Sequence, residues 1–205
     1  MEKCKYLGTI LDSEKDIKRR KGLAIDSFNK LKHVLQSKKV NIKTKTRIFN
    51  TFVSSIFLYN CELWTVTKHL ENKIDIIQRS LLRRILKIKL VDKIRNSKIY
   101  ECTQTTPWSE TTKSRRLSWF GHLLRLPEET PARQALKEFT RNVKRPVGKP
   151  KTTWLSVVKT DLENADIHII NTSLDFSHVT NQANDRVAWK DLCRRVMSAK
   201  DGKRD

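Results

Sequence analysis

The chain has 205 residues, with 43 Lys or Arg against 22 Asp or Glu and a formal net charge of +21. Hydrophobic residues make up 38%, and only 5 Gly and 5 Pro occur, which excludes a disordered chain and leaves enough apolar material for a core. No apolar run approaches the ~20 residues of a membrane span, and Met1-Glu2-Lys3-Cys4-Lys5 is not followed by a signal-type stretch. The expected location is therefore intracellular, in the nucleus, the cytoplasm or both.

The charge exceeds what solubility alone favours and predicts a polyanionic partner. Residues 1–95 hold 23 basic and 9 acidic side chains, and residues 96–205 hold 20 and 13. Both halves are basic, so the excess is not a tail. The expected partner is RNA or DNA. Cys4, Cys61, Cys102 and Cys193 form no CxxC, and the five histidines do not complete a zinc spacing. No metal or cofactor is expected.

Taken in chain order, residues 4–12 read as one short strand around Tyr6-Leu7-Gly8. From about Asp16 to Gln36 the period is helical, with Ala24, Phe28, Leu31 and Leu35 spaced 4-3-4. Asn41 suits the cap of a second helix, whose face includes Ile48, Phe49, Phe52, Val53, Ile56 and Tyr59. Residues 60–66 break that pattern. Thr67 suits the cap of a third helix, over about 68–89. There Leu70, Ile74, Ile77, Leu81, Ile85 and Ile88 form one stripe. Arg79, Arg83 and Lys87 step by four on the other side, with Arg84 beside them. Leu82 and Leu86 call for a second apolar neighbour. From Arg79 to Arg95 there are seven basic residues and one acid, Asp92, so this row is a candidate phosphate-binding face.

Thr103–Pro107 reads as a polar connection. A helix is predicted over about 110–126, carrying Arg115, Arg116, Trp119, Phe120 and His122, and another from Pro131, a residue suited to a first helical position. Residues 141–151 hold five cations and no acid, with two prolines and a glycine. This is a basic loop, with Lys144, Arg145, Lys149 and Lys151 as candidate contacts. Thr152 or Thr153 caps a helix bearing Trp154. Residues 166–182 read as irregular, and a last helix runs over about 183–199 with Val187, Trp189, Leu192, Cys193 and Val196 mainly inward. The predicted fold is mainly α: a strand remnant over 1–12, a helical domain over 13–95 and a smaller helical basic region over 96–205. Trp64, Trp154 and Trp189 are expected in the core. Trp119 is open between base contact and a core position, and His122 between base contact and a plain surface position.

No phosphate-cradling glycine loop, no GxSxG, no HExxH and no clustered carboxylates occur. Metal-ion polymerisation needs carboxylates held together over two cations, so no self-contained active site is read.

Four words stand out: Tyr6-Leu7-Gly8, Leu58-Tyr59-Asn60-Cys61-Glu62-Leu63-Trp64, Trp119-Phe120-Gly121-His122, and Asp185-Arg186 with Trp189. In this order, with Lys45-Thr46-Arg47, Gln78-Arg79-Ser80-Leu81-Leu82-Arg83 and Gly148-Lys149-Pro150-Lys151 with Trp154, they resemble the carboxy-terminal part of a non-LTR, LINE-type retrotransposon reverse transcriptase of the RTE-like class. The resemblance implies a primer-grip strand at Tyr6, Leu7 and Gly8, a helical thumb, and a basic region that contacts template and primer. Asn60 stands where the family usually has glycine, and Asn tolerates left-handed backbone angles. The family's catalytic Asp-Asp turn precedes the primer grip, and this chain begins at the grip, so the implied role is non-catalytic handling of RNA or DNA. The alternatives are a sequence-specific helix-turn-helix DNA-binding protein and a structural RNA-binding protein.

Overall fold

A computed structural model describes residues 5–140, 152–165 and 177–198. The architecture is mainly α, as expected, and the chain divides into two units, residues 1–111 and 112–205.

The first unit opens on a hairpin rather than a single strand. β1 (Lys5–Tyr6) pairs antiparallel with β2 (Thr9–Ile10). Leu7 and Gly8 form the two-residue turn, both with positive φ (43° and 78°). Two positive φ values are the signature of the turn that matches strand twist. Leucine in this region costs about 1–2 kcal/mol, so the turn needs support from elsewhere.

α1 (Ser13–Lys30) is capped by Asp12, whose side chain accepts from the Lys15 amide at 3.1 Å. It stops at Leu31, and a short α2 (Lys32–Leu35) follows, where one continuous helix was expected. Asn41 caps α3 (Ile42–Phe49), accepting from Thr44 N at 2.8 Å. A π-helical turn (Asn50–Ser54) then leads into α4 (Ser55–Phe57). The extra residue in that turn shifts the helical phase, and Phe52 and Tyr59 end exposed rather than on the inner face. Asn60 is left-handed (φ 55°), as the word containing it required, and a 3-10 turn (Cys61–Leu63) follows.

Thr67 caps α5 (Lys68–Leu86), and Lys87 ends it in the left-handed conformation at φ 60°. Lys87 and Ile88 therefore leave the helix. Leu81, Leu82 and Ile85 are all buried, which supplies the second neighbour that Leu82 called for. α6 (Asn96–Thr103) packs on α5 through Ile99, buried in the first core, with Tyr100 against it. That is why the division between the units falls at 111/112 and not at 95/96.

Trp108 begins α7 (Trp108–Arg125). Its ring stacks on Phe57 at 4.2 Å and on Phe49 at 5.9 Å, and Phe57 meets Trp64 edge-on at 5.7 Å. The first turn of α7 is tied to α5: Asp75 accepts from Ser109 N (2.9 Å) and Oγ (2.7 Å), and Gln78 Oε1 accepts from Trp108 N (2.8 Å). These acceptors satisfy amides that a helix start leaves open. Burial pushes the Asp75 carboxyl up and the Tyr100 phenol up to about 12.

The second unit packs the rest of α7 with α8 (Pro131–Thr140), α9 (Trp154–Glu163), α10 (Ser177–Asn184) and α11 (Arg186–Ser198). α10 occupies part of a stretch expected to be irregular. Thr153 caps α9, and Asp185 caps α11 by accepting from Val187 N and Ala188 N at 2.9 and 3.0 Å. The core holds Leu117, Phe120, Leu124, Val158, Leu162 and Trp189, with Trp154 packed at its edge. Val187 is exposed rather than inward, because it lies in the first turn of α11 beyond this core. No described helix is long and apolar enough to cross a membrane.

Candidate nucleic-acid interface

The four sequence words close on one another in two pairs. In the first unit the hub is Asp16, wholly buried. Its carboxylate accepts from Ile10 N (3.1 Å) and from Trp64 Nε1 (3.0 Å), and Arg20 Nε stands 3.5 Å away. Gly8 O accepts from Arg19 Nη1 (2.7 Å) and Arg20 Nη2 (2.8 Å). Tyr59 Oη donates to Leu7 O (3.3 Å), Asn60 Nδ2 donates to Thr9 Oγ1 (2.9 Å), and the Arg20 guanidinium lies 4.5 Å from the Tyr59 ring centre. The strained turn is thus held by two cations from α1 and by the Leu58–Trp64 word, more than 50 residues away.

In the second unit Gly121 meets Trp189. A Cβ at position 121 would fall inside the Trp189 indole, whose Nε1 donates to Leu117 O at 3.0 Å. The glycine is there for a close approach, not for its backbone angles. Phe120 fills the core while Trp119 and His122, a position before it and two positions after it on the helix, face outward with ring centres 5.3 Å apart.

The cations that bear on the expected contacts fall into three groups. The α5 row does not present a free face. Arg83 donates to Ile94 O (2.7 Å) and Asn96 Oδ1 (3.4 Å), and Arg79 reaches the Tyr100 hydroxyl (3.5 Å). Arg84 donates to Asn29 Oδ1 (3.1 Å) and lies 4.3 Å over Phe28. The segment from Ile94 to Tyr100 lies over the row and takes its donors, a long-range fold that the local repeat did not reveal. Lys87 is exposed, but at the helix end and off the row. Lys144, Arg145, Lys149 and Lys151 lie outside the described residues.

The second group is Arg116 alone. It is 0% exposed and its Nε donates to Asp161, 2% exposed, at 2.7 Å. The expectation of a surface contact there is corrected: Arg116 is 100° around the helix from Arg115 and faces the core. Sequence reading missed Asp161, whose position among Val157, Val158 and Leu162 on the apolar face of α9 was the available signal.

The third group forms a groove between α7 and α11. It is lined by Arg115, His122, Arg125, Arg186, Lys190 and Arg194, with no acidic side chain among the described lining residues. Arg125 also donates to Ala183 O (2.9 Å), and Arg194 pairs with Asp191 outside the lining at 2.9 Å. The Cys193 thiol also lines the groove, and burial pushes it up to about 11, so it enters as a neutral group. Trp119, 36% exposed, does not line the groove itself but stands beside His122, which does. Cations beside an open aromatic face suit phosphates and a base. Arg125, Arg186, Lys190 and Arg194 were not among the expected contacts. Their signal was a helical spacing of four from Arg186 to Lys190 to Arg194.

The chain is similar to a transposon-derived protein of Caenorhabditis elegans, with 26% identity over 200 residues, covering 93% of this chain and 69% of the worm protein. No family model matches the chain, and no solved structure matches it.

Proposed function

We propose that the chain derives from a LINE-type, RTE-like retrotransposon reverse transcriptase and serves as its nucleic-acid-holding part, inside the cell, without joining nucleotides itself. The observation that carries this reading is the α7–α11 groove, where five Arg or Lys side chains line one surface with no acid among the described lining residues, and the exposed Trp119 neighbours His122 of that lining. The similarity to a transposon-derived protein supports the origin. The order of the four words supports the particular enzyme class, and in the structure the words pack in pairs.

Single-stranded RNA or DNA is the substrate class that an aromatic platform among cations favours. Five phosphate contacts give a plot of log K against log salt with a slope of about −3.5 on a single strand. Fluorescence anisotropy with a labelled oligonucleotide across a salt series measures it. The double variant Arg186→Ala/Lys190→Ala is expected to make that slope shallower by about 1.4. Trp119→Ala is expected to cost about 1–3 kcal/mol at constant slope. Binding that ignores salt, or a double variant with the parental slope, removes the groove from consideration. Template-directed incorporation by the rigorously purified chain would contradict the non-catalytic role.

A further inference from the structure

The first unit carries a second cationic depression, unrelated to the groove. It is lined by Lys43, Thr46, Arg47 and Asn50 from α3 and the π turn, and by Thr103 and Gln104 from the end of α6. Lys43 and Arg47 are one helical turn apart, both exposed, and neither makes an ion pair among the described residues. No acid stands among the described residues that line the depression.

Its polar groups are set as donors. Trp108 Nε1 donates to Ser54 Oγ (3.2 Å), and Ser54 Oγ donates in turn to Asn50 Oδ1 (3.3 Å). That relay engages the Asn50 carbonyl, and its NH2 has no hydrogen-bond partner among the described residues. Thr46 is 8% exposed, and its hydroxyl is buried with no hydrogen-bond partner among the described residues. A buried hydroxyl without a partner is uncommon and calls for an explanation. Asn50 also opens the π-helical turn, a local defect that is frequent at functional sites. Two cations, an oriented amide and an unused hydroxyl complement an anion with several oxygens, and nothing here complements a cation.

We propose that this depression is a seat for one phosphodiester phosphate of the bound nucleic acid, with Arg47 and Lys43 supplying charge, and Asn50 and Thr46 fixing the oxygens. The seat itself stands on the geometry above; only the source of its phosphate rests on the proposed function.

The test uses the full chain in two arms. In the first, inorganic phosphate is titrated while the amide signals of Thr46, Asn50 and Gln104 are followed by NMR. These signals are expected to shift in the parent and in Arg186→Ala/Lys190→Ala, and to stay still in Lys43→Gln/Arg47→Gln, whose exposed positions leave folding intact. In the second, the oligonucleotide salt slope of Lys43→Gln/Arg47→Gln is expected to be shallower by about 0.7. Shifts that survive in Lys43→Gln/Arg47→Gln overturn the seat. Shifts that vanish in that variant while its salt slope stays parental leave a seat for free phosphate and overturn the phosphodiester assignment. A parent that binds no oligonucleotide defeats the proposed function, and the phosphate arm then decides the seat by itself.

Discussion

Asp161→Ala is expected to remove about 3–5 kcal/mol from the stability of the second unit. Arg116 and Asp161 are enclosed at 0% and 2% exposure, with 2.7 Å between Nε and Oδ2. Taking two charges out of water is costly, and their attraction offsets that cost only while both are present. Removing the carboxylate leaves a guanidinium in a core built from Leu117, Val158 and Leu162. The apolar double variant Arg116→Met/Asp161→Leu is expected to recover most of the loss, because it removes both desolvation costs together. Hydrogen exchange of peptides from α9 and α11 measures the second unit separately from the first. A single variant that exchanges like the parent would show that water reaches the pair.

Asp16→Ala is expected to cost the first unit a similar amount, about 3–5 kcal/mol. The change strips acceptors from Ile10 N and Trp64 Nε1 and leaves Arg20 without its buried counter-charge. Leu7, which depends on Arg19 and Arg20 holding the Gly8 carbonyl, loses its support as well. Asp16→Asn is the informative comparison, since it keeps one acceptor oxygen but no charge. Chemical denaturation followed by tryptophan fluorescence reads the result, because Trp64 touches the altered group. If Asp16→Asn matches the parent, hydrogen bonding alone holds the hub and its charge is incidental.

Much of the fold was legible because it is locally encoded. Asn41, Thr67 and Thr153 announce their helices by side chains that bond amides three residues on. The apolar stripe of α5 gave its buried face, and Asn60 signalled a left-handed residue. What failed was long-range. The row Arg79–Arg83 has helical spacing and few acids, so in one dimension it resembles a phosphate face. The backbone carbonyl of Ile94 and the hydroxyl of Tyr100 come over it only in three dimensions. Trp108 carries no word of its own, yet it stacks on Phe49 and Phe57 in the core. Arg115 and Arg116 are neighbours in sequence with opposite surroundings, one at the groove and one in the core. The candidate groove is legible only by half: Arg115 and His122 on its α7 side stand among the expected contacts, while on α11 the sequence marks Trp189 for the core and gives Arg186, Lys190 and Arg194 no contact role.

The Gly121–Trp189 contact also constrains the order in which this sequence can change. A methyl group at 121 has no room while an indole occupies the space, so the two positions cannot be altered independently. A path that first reduces Trp189 to a smaller ring opens a cavity and loses the bond to Leu117 O, and only then admits a larger residue at 121. A path that begins at 121 meets overpacking at its first step. Two residues 68 positions apart thus behave as one heritable character, with one of its two mutational routes closed.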